Sequence, residues 1–179
     1  PASNGGWLLA GISISGASGD KTEASRGDYD YWVIRIDSLG NKLWDKTFGG
    51  IGNDACTAIS ADSDGGWWLL GNSNSGAEGD KTEISRGDTD YWLVRIDSTG
   101  NKLWDKTYGG SSFDFSFGIS FDTTSGWLVA GSSISGQSGD KSTLSRGNYD
   151  YWIIRLGPEE PTSASRPPAP ALTLYPNPT

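Results

Sequence analysis

The chain repeats itself. "SRGDYDYW" at Ser25–Trp32 returns as "SRGDTDYW" at Ser85–Trp92 and as "SRGNYDYW" at Ser145–Trp152, each copy 60 residues after the one before. "GGWLLAGISISG" from Gly5, "GGWWLLGNSNSG" from Gly65 and "SGWLVAGSSISG" from Ser125 keep the same offset, as do "GNKLWDKTFGG" from Gly40 and "GNKLWDKTYGG" from Gly100. A strict period of this length means one supersecondary unit built three times and stacked on its neighbours. The units therefore occupy equivalent environments, and comparing copies trims any set of candidate functional residues.

One full unit reads as four short strands. "CTAISAD" (Cys56–Asp62) alternates small and apolar residues, and an "SDGG" turn leads to "WWLLGNSNS" from Trp67. A long polar loop, "GAEGDKTEISRGDT", precedes "DYWLVRID" (Asp90–Asp97), and an "STGN" hairpin turn of the Asn/Gly type leads to "KLWDKTYGG" from Lys102. The 26 Gly and 9 Trp, with no Met, suit strands joined by tight turns. In the third strand Trp92, Val94 and Ile96 share one face while Tyr91 and Leu93 share the other. Bulky residues on both faces mean that each sheet lies between two others. That is the pattern of an all-β fold of β-propeller blades with four antiparallel strands each. A solenoid is the runner-up, but its coils are usually shorter than this unit.

Counting strands gives three, then four, then three. The expectation is a partial ring of about two and a half blades, because propellers need roughly 4 to 8 blades to close. Completion then requires upstream blades, or other copies of the chain that cover the open faces. A last blade without its outer strand also fits a ring locked by a strand from the chain's own N-terminus.

Charge and composition exclude several functions. A net charge of −8 opposes binding to nucleic acid or anionic lipid. With no His and a single Cys, the usual transition-metal sites and the Ser-His or Cys-His dyads cannot be built. Cys56, in "NDACTAIS", reads as a small buried residue rather than a reactive thiol. No apolar run is long enough to cross a membrane. No pair of carboxylates is unique to one unit, so the chain is read as noncatalytic.

The long loop is the richest candidate site. Its first copy offers Asp20, Glu23, Asp28 and Asp30, oxygen ligands of the kind Ca²⁺ takes in sets of six to eight. Comparison thins that set, since Glu23 and Glu83 become Thr143, and Asp28 and Asp88 become Asn148. What persists is Asp20, Asp80 and Asp140; Lys21, Lys81 and Lys141; Arg26, Arg86 and Arg146; and Asp30, Asp90 and Asp150. Equal numbers of cations and carboxylates point to a structural clamp of Arg–Asp pairs holding each loop on its own blade, without metal. Ca²⁺ and a direct ligand contact are the lesser alternatives. Trp32, Trp92, Trp152, Trp44 and Trp104 recur with the unit and read as packing between blades. Trp68 belongs to one unit only, and two readings stand: an exposed sugar-stacking ring, or a cap on the outer blade face.

The pattern "DYWLVRIDSTGNKLWDKTYGG…D…GGW", over residues 5–156, resembles the bacterial propeller repeat family often expected to form seven-bladed propellers. Here the loop between second and third strands is longer than that family's. From residue 157 the composition turns to a Pro-, Ser- and Ala-rich linker through residue 171. The final "LTLYPNPT", residues 172–179, resembles the start of the C-terminal sorting domain of Bacteroidota proteins handled by type IX secretion, with Leu174, Tyr175, Pro176, Asn177 and Pro178 as the motif. The resemblance implies export to the cell surface or the medium, with the secretion machinery as one partner. Two functions follow as expectations. The first is a noncatalytic surface propeller that binds a glycan or protein. The second is an accessory domain of a secreted hydrolase whose catalytic part lies elsewhere.

Overall fold

The computed structural model describes residues 5–122 and 126–157 of the 179. The linker and the sorting motif Leu174–Pro178 lie outside the described residues. Every regular element described is a β-strand. β1 (Trp7–Ser13), β2 (Asp30–Ile36) and β3 (Lys42–Phe48) form a first sheet. β4 (Asp54–Ala61), β5 (Trp67–Ser73), β6 (Asp90–Ile96) and β7 (Lys102–Tyr108) form a central one. β8 (Asp114–Asp122), β9 (Gly126–Ser133) and β10 (Asp150–Leu156) form the third. Strands pair antiparallel in chain order, and the three-four-three count expected from sequence is what folds.

The repeat extends to the irregularities. The register shifts between Arg35 and Ile36 and again between Arg95 and Ile96; it also shifts between Cys56 and Ala58 and again between Ser116 and Gly118. Each pair of bulges is 60 residues apart, so the bends belong to the unit. The hairpin after β6 is organised by Asp97, whose Oδ1 accepts from the N–H groups of Thr99 and Asn101, with Gly100 at φ 86.

The sheets stack through two apolar layers. Trp92, Val94, Ile96, Trp67 and Leu69 of the central sheet meet Leu8, Tyr31, Val33 and Phe48 of the first. On the opposite face Tyr91, Leu93, Trp68, Leu70 and Tyr108 meet Trp127, Val129, Trp152, Ile154 and Leu156 of the third. The alternation read from "YWLVRI" thus assigns each residue to its layer, because successive strand side chains point to opposite faces. Each fully buried side chain of this size contributes about 1.5–3 kcal/mol.

One polar contact fixes how neighbouring sheets register. The Tyr31 hydroxyl donates to the Trp92 carbonyl at 2.9 Å, and Tyr91 to the Trp152 carbonyl at 3.2 Å. Each tyrosine lies over a glycine of the next sheet: a Cβ on Gly71 would fall 2.4 Å from the Tyr31 hydroxyl oxygen, and one on Gly131 equally close to that of Tyr91. Glycine is required there by the paired strand's carbonyl, Ala55 or Phe115, together with the approaching tyrosine. Cys56, half-buried, packs against the first apolar layer, and burial pushes its thiol up to about 12, which disfavours the nucleophilic thiolate.

Candidate functional site

Each long loop, residues 14–29, 74–89 and 134–149, is wrapped around a lysine. Lys81 Nζ donates to the Ser75 carbonyl at 3.1 Å, the Glu83 carbonyl at 2.7 Å and Ser85 Oγ at 3.1 Å. Lys21 donates to the Ser15 carbonyl and Ser25 Oγ, and Lys141 to the Ser135 carbonyl and Ser145 Oγ. All three lysines are buried, and burial lowers their pKa despite the nearby carboxylates. The ammonium sits among loop oxygens where a cation would sit, so the loop carries its own positive charge. Among the described residues no three His, Cys, Asp or Glu side chains converge on one point.

A carboxylate from the sheet ties the loop to the fourth strand. Asp105 Oδ2 accepts from Thr82 N at 2.9 Å and from Trp92 Nε1 at 3.0 Å, and its Oδ1 pairs with Lys102 at 2.6 Å. Asp45 does the same with Thr22, Trp32 and Lys42 in the first unit. Burial raises the Asp45 pKa, but these donors outweigh it and hold the carboxyl at about 2. Glu23 and Glu83 belong to this network, pairing with Lys46 and Lys106. In the third unit Thr143 stands in their place.

The arginines reach further than the sequence reading expected. Arg26 Nη1 donates to the Thr47 carbonyl and pairs with Asp80 of the next unit at 2.9 Å, while Arg86 Nη1 donates to the Thr107 carbonyl and pairs with Asp140 at 3.0 Å. The Arg–Asp side-chain pairs therefore bridge units, while the bonds to the Thr47 and Thr107 carbonyls tie each arginine to its own sheet. A backbone bond also stays within the unit: the N–H groups of Arg26, Arg86 and Arg146 donate to Asp30, Asp90 and Asp150. Asp80 Oδ2 also accepts from Gly49 N, and Asp140 Oδ2 from Gly109 N, so each pair is seated on the crossing between sheets.

The junctions also bury carboxylates. Asp30, Asp54, Asp90 and Asp114 are fully buried, and the Oδ1 of each has no hydrogen-bond partner. Burial, helped by repulsion from Asp114 and opposed by the Arg86 N–H, lifts Asp90 to about 6. Gly49 and Gly109 are glycines because a Cβ there would fall 2.1 Å from Oδ1 of Asp30 and Asp90 respectively.

Trp68 is not a stacking platform. It is 2% exposed, wedged between Trp104 and Trp127 at centroid distances of 4.8 and 4.7 Å, with Nε1 donating to Asp62 and Arg95 over its ring. The neighbouring sheet covers this face, so the ring packs between sheets. What the loops do expose are positions that differ between copies: Ala24, Ile84 and Leu144; Ala17, Ala77 and Gln137; Tyr29 and Tyr149, where the second copy has a half-buried Thr89. Sequence reasoning passed over these because it sought what repeats.

No protein-family model matches the chain. It is 23% identical over 154 residues to the regulatory protein FlaEY of Caulobacter vibrioides, an alignment covering 82% of this chain and 16% of that protein.

Proposed function

We propose that the chain is part of a β-propeller and serves as a noncatalytic, exported binding module for a glycan or protein partner. The observation that carries the binding reading is the contrast within the loops. Residues at the same place in each copy build a shared scaffold around Lys21, Lys81 and Lys141, with the N–H groups of Arg26, Arg86 and Arg146 on Asp30, Asp90 and Asp150, while the exposed residues 24, 84 and 144 run from Ala to Ile to Leu. A rigid scaffold that displays variable side chains is how loops acquire binding roles. The stack of antiparallel sheets, apolar on both faces, supports the propeller reading. Export rests on "LTLYPNPT".

A panel of immobilised glycans and surface proteins tests binding. The expected result is capture that weakens about tenfold or more when Ile84 and Leu144 are changed to Asp, with melting temperature unchanged. Capture indifferent to both changes, or none across the panel, overturns the reading. For export, joining the chain to a complete sorting domain in a type IX-competent bacterium is expected to bring it to the surface. Deletion from Leu172 onward is expected to leave it in the periplasm. Surface arrival of the truncated chain overturns the sorting role.

A further inference from the structure

Residues 20–26 of the first long loop run beside the outer strand β3, in the same direction. Lys42 Nζ donates to the Asp20 carbonyl, Thr22 N donates to Asp45 Oδ2 at 2.9 Å, and Lys46 pairs with Glu23 at 3.0 Å. Arg26 then reaches the Thr47 carbonyl at 2.9 Å. Residues 80–86 repeat the series along β7. Lys102 donates to the Asp80 carbonyl, Thr82 N to Asp105, Lys106 pairs with Glu83, and Arg86 donates to the Thr107 carbonyl.

β3 and β7 are the outermost strands of their sheets, and among the described residues each has one edge without a neighbouring strand. Thr47 lies opposite Trp32 of β2, yet its backbone groups bond away from β2. Its N–H donates to Glu23 Oε2 at 2.9 Å and its carbonyl accepts from Arg26. Thr107 repeats this, donating to Glu83 Oε2 at 3.2 Å and accepting from Arg86. In an antiparallel ladder such outward groups are the ones a further strand would take. Here two loop side chains take them. Nothing else blunts these edges: neither strand carries a Pro, both expose a leucine (Leu43 and Leu103), and their lysines are bonded to the loop.

We propose that these loop segments are edge guards, which keep β3 and β7 from pairing with an extended strand of another chain. In a solution of the purified chain that strand is β3 or β7 of a second copy, which presents the same outward groups once its own guard is lifted. Covering an edge with a loop is one of the ways folded chains avoid such pairing. The role goes beyond the binding reading and stands without it. The guard uses the constant residues Glu23, Arg26, Glu83 and Arg86, whereas binding is assigned to the varied residues 24, 84 and 144.

Amide exchange and light scattering on the whole chain, over a wide concentration range, test this. In the parent chain the Thr47 and Thr107 amides are expected to exchange slowly at every concentration. Glu23→Ala with Glu83→Ala is expected to speed both about tenfold in dilute solution. At high concentration the same variant is expected to regain protection at those amides and to exceed the parent's mass. Glu83→Ala alone is expected to free the Thr107 amide and leave that of Thr47 protected. Glu23→Gln with Glu83→Gln keeps an acceptor for each amide and is expected to match the parent in exchange and in mass. Far-UV spectra like the parent's would show that each variant keeps its sheets. Slow Thr47 and Thr107 amides in the dilute double Ala variant overturn the inference. So does a mass no greater than the parent's at every concentration. Equal growth of the Ala and Gln variants also overturns it, because association would then follow from lost charge and not from an uncovered edge.

Discussion

Arg26 in the first unit and Asp80 in the second are held 2.9 Å apart, Nη1 to Oδ2, across the junction between two sheets. The same guanidinium donates to the Thr47 carbonyl, so one side chain ties a loop to its own outer strand and to its neighbour. Both groups are partly shielded, which makes the pair worth more than an exposed ion pair but less than a buried one. A double-mutant cycle on Arg26→Ala and Asp80→Ala is expected to give a coupling of about 0.5–1.5 kcal/mol. The cycle on Arg26→Ala and Asp20→Ala, within one unit, is expected to give none. The reverse order would place the clamp inside the unit.

Lys81 Nζ fills the centre of its loop, donating to the Ser75 and Glu83 carbonyls and to Ser85 Oγ. Changing Lys81 to Met removes the ammonium donor to the Glu83 carbonyl, leaves the Ser75 carbonyl with only its Ser85 donors, and is expected to cost about 2–4 kcal/mol in urea unfolding. Millimolar Ca²⁺ is expected to raise the melting temperature of neither the parent chain nor Lys81→Met. A calcium-dependent rise in the parent chain would mean that the loop oxygens hold an ion after all.

The strands and their faces were legible because the repeat shows each position three times and period two separates Trp92, Val94 and Ile96 from Tyr91 and Leu93. The partner of Arg26 was not. Asp20, Asp30 and Asp80 all lie in the same repeated phrase, and only the stacking of sheets distinguishes a neighbour within the unit from one 54 residues away. Trp68 was ambiguous for a related reason: its surroundings, Trp104 and Trp127, come from a strand two places away in its own sheet and from another sheet. Lys21, Lys81 and Lys141 were visible as constant residues, but their burial follows from loop closure, which no periodicity reports.

Stability is expected to peak on the acid side of neutrality. Asp90, at about 6, binds its proton more tightly folded than unfolded, so its contribution is complete below about pH 4 and lost as pH rises through 6. Asp30 and Asp114, also raised by burial, act in the same direction. Asp45, at about 2, acts oppositely, and its contribution is lost as pH falls from about 4 to 2. The Asp90 contribution alone is on the order of 2–3 kcal/mol. Thermal melts between pH 3 and 8 are expected to show a maximum near pH 4–5, with Asp90→Asn flattening the decline above it. A melting temperature that climbs steadily from pH 4 to 7 would contradict this.

Trp68 fills space between two sheets. Trp68→Ala is expected to cost about 3–5 kcal/mol, as for other large aromatic truncations in a core, while Trp68→Phe costs less. Any glycan bound by the loops is expected to remain bound by Trp68→Phe. A folded Trp68→Phe chain that had lost its glycan would return the ring to a stacking role.

Trp152 Nε1 is buried without a hydrogen-bond partner, whereas the indoles of Trp32 and Trp92 donate to Asp45 and Asp105 on the adjoining outer strands. Among the described residues no strand lies on the far side of β10. An unpaired buried donor costs about 1–3 kcal/mol, and a strand edge that no described strand covers can accept a further strand. A synthetic peptide carrying "NKLWDKTYGG", laid antiparallel beside β10, would bring an aspartate to the Trp152 indole as Asp105 comes to Trp92. Added in excess, it is expected to raise the melting temperature of the chain and to perturb indole fluorescence. The same peptide with its Asp replaced by Ala is expected to bind more weakly, because the donor stays unpaired. Equal effects from both peptides would show that the indole is satisfied by other means and that the edge recognises backbone alone.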